Sequence, residues 1–300
     1  MHKFVLVVPV FLLAFTLQAQ NIQMQRTDKG FWINEDDNRI MFFQRHSNDS
    51  IPEFSRSNYF HPVYDLNGNI ITEDFPEGHP HHRGIFWAWL HIIVNGKNIA
   101  DTWHLQNFSQ NVEQMGFKTN AEGNGELEYS SFWYTKNRPQ IPFMREKNEI
   151  TIYKRKRNYR QIDFQIELVA LEHGLEIGGS ADEKGYGGFS IRMNTNENTH
   201  FSDSEKQSIE PQNTAIDAGS CVSISNRETK SGVSIISHPL NPGMPAWILR
   251  QTGSMQNCAW PGSSPVALPV NQPLTLKYTL IIHKGNPKRV PLERIYKSMQ

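Results

Sequence analysis

An alternation of apolar and polar residues with a period of two runs through most of this chain. Ile162, Phe164 and Ile166 alternate with polar residues, and residues 274–282 repeat the pattern near the C-terminus. Successive side chains of a strand point to opposite faces, so this period predicts half-buried strands. Further strands are predicted at residues 39–44, 85–94, 126–134, 149–154, 188–193, 221–225 and 233–237.

Short turn signals separate these predicted strands. Asn-Gly pairs occur at residues 67–68 and 95–96, and helical periodicity is confined to residues 291–299. No linker and no shift in composition marks a domain boundary. We therefore predict one all-β domain over residues 21–300, built as a large antiparallel sandwich of two packed sheets.

The first 20 residues have the pattern of an export signal. A basic residue, Lys3, precedes an apolar stretch over residues 4–17, and Ala19 lies in a small-residue cleavage zone. The apolar stretch is shorter than the roughly 20 residues that span a bilayer, and no later segment approaches that length. We expect a periplasmic or secreted protein without a membrane span after signal cleavage.

The composition limits the kinds of binding partner that the sequence supports. Lys plus Arg and Asp plus Glu are equal at 30 each, so net charge gives no argument for nucleic acid or an anionic membrane. The basic run at residues 154–157 lies between two predicted strands and is interpreted as a solvated turn. Cys221 and Cys258 are the only cysteines. Both a disulfide and two separate thiols remain open, whereas thiolate zinc spacing is absent.

Five of the 12 histidines fall between residues 79 and 104, and all of them except His91 lie in the segments 79–84 and 103–104. Imidazole exchanges protons near neutral pH, so such a cluster favours acid–base chemistry, a metal site or a polar substrate pocket. The planar guanidinium of Arg83 suits a carboxylate or a sugar hydroxyl, although a buried structural ion pair is the alternative. The predicted catalytic residues are His79, His81, His82, Arg83 and His104.

Aromatic and polar residues near this cluster suggest a carbohydrate pocket, because sugar rings stack on indoles while charged and amide groups bind their hydroxyls. The predicted substrate-binding residues are His61, Trp87, Trp103, Lys184, Arg192, His238, Asn241 and Arg250. For Trp87 the alternative is a core position, and for His238 and Asn241 it is a hydrogen-bonded corner. The glycine-rich segment 184–188 lacks the order of a phosphate-binding loop.

Several motifs resemble one known family. They are the segments YFHPVY, HPHHRG, KGYGGFSIR and HPLNP, which begin at residues 59, 79, 184 and 238. Together they resemble the DUF6807 family, whose members often carry the label methane oxygenase PmoA. The resemblance implies a supersandwich of the galactose mutarotase kind and an approximate site, but no reaction. The label adds no support here, because that oxygenase is embedded in a membrane.

Three functions remain open at this point. The first is an exported enzyme acting on a sugar or uronic acid, small or oligomeric, by histidine acid–base chemistry without a cofactor, as an epimerase, lyase or hydrolase. Glu73, Asp74, Glu77 and Asp101 keep two-carboxylate hydrolysis open. The second is a noncatalytic glycan-binding protein. The third is a metalloenzyme with a divalent transition metal on His79, His81 and His104.

We further expect the histidines at one end of the sandwich, where loops between adjacent strands converge. In this expectation His81, His82 and Arg83 lie beside His104 and beside Trp87 or Trp103, in a cavity that solvent can reach.

Overall fold

The computed structural model describes residues 21–212 and 214–299, and in this part of the chain almost all regular structure is β. The strands are β1 (Ile22–Arg26), β2 (Gly30–Glu35), β3 (Asn38–Gln44), β4 (Tyr59–Val63), β5 (Ile85–Trp89), β6 (His91–Val94), β7 (Lys97–Ala100), β8 (Ser109–Thr119), β9 (Gly125–Tyr134), β10 (Met144–Ile152), β11 (Tyr159–Ala170), β12 (Leu175–Gly178), β13 (Gly187–Met193), β14 (Thr199–Ser202), β15 (Ser208–Ile209), β16 (Cys221–Asn226), β17 (Ser231–Ser237), β18 (Ala246–Ile248), β19 (Ser254–Ala259), β20 (Val266–Ala267) and β21 (Leu274–His283). One α-helix, α1 (Leu292–Lys297), and two 3₁₀ turns (Pro52–Phe54 and Pro287–Arg289) complete the described elements.

The strands form three antiparallel sheets within the described residues. The eight-stranded sheet has the order β1-β2-β3-β4-β5-β13-β19-β18, and the nine-stranded sheet has the order β15-β14-β16-β17-β21-β11-β10-β9-β8. A four-stranded sheet, β20-β12-β6-β7, lies alongside. The predicted all-β antiparallel sandwich is confirmed.

Aromatic side chains from the two large sheets meet in the core between them. The ring centroids of Phe43 and Tyr129 lie 4.6 Å apart, and those of Phe189 and Tyr278 are also 4.6 Å apart. Each pair joins a strand of the eight-stranded sheet to one of the nine-stranded sheet. Burial of large apolar rings from both sides is the main force that holds such a sandwich together.

A buried carboxylate also joins the large sheets. Glu146 of β10 is fully buried, and its two oxygens accept hydrogen bonds from N–H groups of both sheets. The donors are Asn58 (2.8 Å), Trp87 (2.9 Å), Gln110 (3.0 Å), Trp133 (2.7 Å) and Asn148 (2.6 Å). Burial raises the pKa of Glu146, while its hydrogen bonds act in the opposite direction.

Strand β5 is buried on both faces, and its outer face lies beneath the candidate site described below. Trp87 and Trp89 point into the core, whereas Phe86 and Ala88 belong to a separate cluster on the outer face with Trp103. On its outer face, β5 is therefore covered by other residues of the chain, including Trp103 from the loop after β7. A near-continuous apolar run is typical of strands covered on both sides.

Most predicted strands are confirmed with shifts of a few residues. The predicted strand 85–94 is two strands, because the chain leaves the eight-stranded sheet after Trp89 and pairs with β12 from His91 onward. The strand predicted at 149–154 starts earlier, at Met144, and ends at Ile152. The basic run 154–157 is the connection to β11, as interpreted from the sequence.

The helix predicted at residues 291–299 is present as α1, over a shorter span. Leu292 and Ile295 pack on Ile281, on the face of β21 opposite the main core. Both faces of the C-terminal part of β21 are thus buried, where the period of two predicted one exposed face.

Other sequence-based predictions have mixed outcomes. Cys221 and Cys258 are both buried free thiols. The predicted export signal lies outside the described residues. In the part of the chain that the structure describes, no helix is long and apolar enough to cross a membrane.

Candidate functional site

A cavity of about 250 Å³ lies on the outer face of the eight-stranded sheet. Its lining combines imidazoles, two cationic side chains and two aromatic rings: His79, His81, His82, Trp103, His104, Lys184, Tyr186, Ile248, Arg250, Met255 and Asn257. Besides loop residues, Ile248 of β18 and Met255 and Asn257 of β19 line the cavity, so the cavity includes residues of the sheet as well as the loops from which it was expected.

A tight loop after β7 presents His104 to the cavity. The backbone groups of Asp101 and Gln106 exchange two hydrogen bonds of 3.0 and 2.9 Å, which close the loop. One carboxylate oxygen of Asp101 accepts the backbone N–H groups of Trp103 and His104, each at 2.8 Å. Leu105 has a φ of 65°, a conformation that is uncommon for a buried leucine and that this closed loop imposes.

Asp101 also fixes the imidazole of His104. Its second carboxylate oxygen, Oδ2, lies 2.7 Å from Nδ1 of His104. A carboxylate can only accept here, so Nδ1 carries a proton and Nε2 is the ring nitrogen left for substrate. An aspartate that orients a histidine in this way is the arrangement that prepares a general base.

His82 has the opposite tautomer. Nη1 of Arg192 lies 3.4 Å from Nδ1 of His82, and a guanidinium can only donate, so this nitrogen accepts and Nε2 carries the proton. Arg192 is itself held by Glu73, with 2.8 Å between Nε and the carboxylate. Burial, and then the nearby His81 and Arg192, lower the pKa of His82 well below its usual value. The ring is therefore a neutral hydrogen-bond donor.

His81 lies between these two imidazoles. Its ring centroid is 4.4 Å from that of His82 and 4.6 Å from that of His104. Burial, followed by the neighbouring His104 and Arg56, lowers the pKa of His81 to about 3. His81 is thus neutral at physiological pH.

Arg56 supports the His104 loop from below. Its guanidinium donates to the carbonyl of Thr102 at 2.5 Å and to that of Trp103 at 3.3 Å, and it lies over the ring of Phe86. Burial lowers the pKa of Arg56 to about 9, so the side chain stays charged at neutral pH. The charge of this buried cation contributes to the lowered pKa of His81 and of His82.

Arg83 does not line the cavity, contrary to expectation. It is fully buried, donates to the carbonyls of Pro80 and Phe54, and lies 3.3 Å from the carboxylate of Asp74. Its guanidinium also covers the ring of Phe75 at 3.4 Å. Arg83 therefore anchors from beneath the loop of residues 79–84 that carries His79, His81 and His82, called the histidine loop below, and it forms the buried structural ion pair that was the alternative.

Five other predicted residues are not among those that line the cavity, and one of them, Arg192, lies behind His82. Trp87 is in the core on Glu146. His61 pairs with Thr72 at 2.9 Å. His238 and Asn241 form a hydrogen-bonded corner, in which Asn241 binds the backbone of Lys277 in both directions. Spacing along the chain could not separate these positions from the site.

Sequence reasoning missed several cavity residues. Asn257 donates to Ser190 and to backbone carbonyls of β13, and it reaches the cavity only because β19 is the neighbour of β13. No local pattern reveals that pairing. Tyr186 lies in the KGYGGF motif and packs 4.9 Å from Trp103, so the motif indicated the segment but not the residue.

The described residues contain no group of three or more His, Cys, Asp or Glu side chains arranged to hold a metal ion. The metalloenzyme alternative with His79, His81 and His104 therefore gains no support from these residues.

The family model for DUF6807, a family of unknown function, matches residues 33–297. The chain belongs to this family. Among curated proteins, none matches the chain. Because the family has no established function, the chemistry of this member has to be argued from its site.

Solved structures with similarity to the chain include glycoside hydrolase family 97 enzymes from Pseudoalteromonas sp. strain K8, one of them in complex with panose. They are 12% identical with a TM-score of 0.36, over 88% of this chain and 34% of theirs. The chain thus spans about a third of the length of those enzymes. The Slr1438 protein from Synechocystis sp. PCC 6803 is 7% identical with a TM-score of 0.27, over 92% of this chain and 100% of that one.

Proposed function

We propose that this protein is an exported carbohydrate-active enzyme that removes a proton from a sugar acid, at the carbon next to the carboxylate. The observation that carries the proposal is the Asp101–His104 pair at 2.7 Å, which leaves Nε2 of His104 as a base beside a cavity. Lys184 and Arg250 on the cavity wall suit a uronate carboxylate. Trp103 and Tyr186 offer aromatic surface to a sugar ring.

Two histidines have complementary roles in this reaction. Nε2 of His104 takes the proton, and the Asp101 carboxylate stabilises the imidazolium that forms. The neutral Nε2–H of His82 then donates to the oxyanion that develops on the carboxylate. Epimerisation and elimination both begin with this step. Two-carboxylate hydrolysis is less favoured, since no Asp or Glu lies among the described residues that line the cavity.

The test uses galacturonate, glucuronate and mannuronate, as monomers and as oligosaccharides, incubated with enzyme in deuterium oxide. NMR spectra would report exchange of the proton next to the carboxylate and any product. We expect His104→Gln to lose about 10²-fold or more of the rate. His173→Gln, at an exposed histidine outside the cavity, is the matched control and should keep full activity.

Activity that survives in the His104→Gln protein would contradict the proposed base. Binding of these sugars without exchange or product would favour a glycan-binding protein instead. Export is tested separately by mass spectrometry of the periplasmic fraction, where we expect a mature N-terminus within a few residues of Asn21. An intact N-terminal segment in membranes would contradict export.

A further inference from the structure

A second depression, of about 500 Å³, adjoins the cavity and shares two residues with it. His81 and His104 line both spaces, so this imidazole pair forms the boundary between them. Glu53, Gln106, Asn107 and Lys136 belong to the second depression alone. The candidate base is therefore reachable from two sides.

The two spaces differ in chemistry. The first carries Lys184 and Arg250 and suits an anionic group, which would share Lys184 with the Asp182 carboxylate that lies 3.8 Å from Nζ outside the lining. The second combines the acid Glu53, the cation Lys136 and two amides, and it suits hydroxyl groups. At about 250 Å³ the first space is smaller than the ~300 Å³ lower bound typical of ligand pockets. A ligand larger than one sugar unit needs the second space as well.

We infer that the substrate is an oligosaccharide that crosses the His81–His104 boundary, and this inference rests on the proposed function. The reacting uronate unit occupies the cavity, and the unit attached to it occupies the second depression. The glycosidic oxygen between them then lies over His104. Lys136, which donates to the carbonyl of Leu105 at 3.4 Å beside His104, binds the attached unit.

This placement favours elimination over epimerisation. Nε2 of His104 takes the proton from the carbon next to the carboxylate. The electron pair left behind forms a carbon–carbon double bond and breaks the bond from the adjacent carbon to the glycosidic oxygen. The imidazolium of His104 then returns its proton to that oxygen, which departs as the hydroxyl of the second unit. Atoms and charge balance without a further reactant.

Binding tests the second depression independently of turnover. The probes are galacturonate, glucuronate and mannuronate as monomer, dimer and tetramer, titrated into the His104→Gln protein. For the accepted sugar, we expect the tetramer to bind about tenfold more tightly than the monomer, and Lys136→Ala to remove that gain without weakening the monomer. Lys147→Ala, at an exposed lysine on β10 of the nine-stranded sheet, is the matched control.

Turnover tests the elimination. The wild-type protein should release an unsaturated uronate, seen by the ultraviolet absorbance of its conjugated double bond. Equal binding of monomer and tetramer, or no binding of any probe, would overturn the inference. Exchange on monomers without chain cleavage would overturn the elimination and leave the proposed proton abstraction intact. Length-dependent binding with neither exchange nor an unsaturated product would instead contradict the proposed function and leave the second depression supported.

Discussion

Individual hydrogen bonds decide which imidazole in the site can act as a base. Asp101 makes His104 an acceptor at Nε2, whereas Arg192 makes His82 a donor at Nε2. These two rings, which lie on either side of His81, are chemically different although the sequence presents them as equivalent histidines. Sequence alone predicted that they would share a site but could not assign their roles, because the partners come from other segments of the chain.

The tautomer of His82 is directly measurable. Since burial lowers its pKa and Arg192 donates to Nδ1, we expect nitrogen NMR spectra to show a neutral ring with the proton on Nε2 between about pH 5 and 8. In the Arg192→Met protein this preference should weaken. A cationic His82 ring near pH 6 would contradict the role of neutral donor.

Arg83 is expected to matter for stability. Its replacement by Ala would leave the Asp74 carboxylate and two loop carbonyls without their cation, so the free energy of unfolding should fall by about 3–5 kcal/mol. Urea unfolding would measure this loss. Surface variant Lys147→Ala should stay within about 0.5 kcal/mol of wild type. A fully stable Arg83→Ala protein that lacked only activity would contradict the anchoring role.

Among the elements, the junction between the histidine loop and β5 is packed too tightly for a side chain. A Cβ placed on Gly84 would lie 2.0 Å from the carbonyl oxygen of Phe60 in β4, so only glycine permits this approach. The sequence showed that a glycine ends the loop. It could not show that a neighbouring strand requires it, since that contact depends on tertiary pairing.

Gly84→Ala should therefore strain the β4–β5 contact and destabilise the protein by about 1–3 kcal/mol. Gly116→Ala on β8 is the matched control, because a Cβ there has no neighbour within 4 Å and the backbone does not have a positive φ. Thermal unfolding of both variants would give the comparison. Equal melting temperatures would show that the loop adjusts without cost.

For the whole molecule, buried neutral histidines make the free energy of unfolding depend on pH in the acidic range. Burial lowers the pKa of His283 to about 4 and that of His81 to about 3, below the value near 6.5 of an unfolded histidine. Below about pH 6.5 the unfolded chain binds protons that the folded chain does not. The contribution of these groups to the free energy of unfolding therefore decreases as the pH is lowered. The decrease ends at about pH 4 for His283 and at about pH 3 for His81.

We expect urea unfolding to give a lower free energy at about pH 5 than at about pH 7.5. His283 is fully buried, and neither ring nitrogen has a hydrogen-bond partner. His283→Leu should therefore reduce the dependence on pH and keep the stability at neutral pH. An unchanged slope in that variant would show that His283 does not contribute.

The period of two predicted the sandwich because each long strand has one face toward the core. It could not predict the third sheet, whose strands have only two to four residues, or the outer-face cavity. Both are built from loops and short strands that cover the outer face of a sheet. The period of two does not specify what covers that face. Trp87 illustrates this limit, since the same aromatic residue suits either a sugar platform or the core.

The carboxylate of Glu146 gives the molecule a built-in optical reporter. Trp87 of one large sheet and Trp133 of the other donate their indole N–H groups to its two oxygens. Indole emission responds to a nearby charge and to water, so separation of the sheets changes the fluorescence of both rings together. Assembly of the sandwich can thus be followed in real time without an added dye.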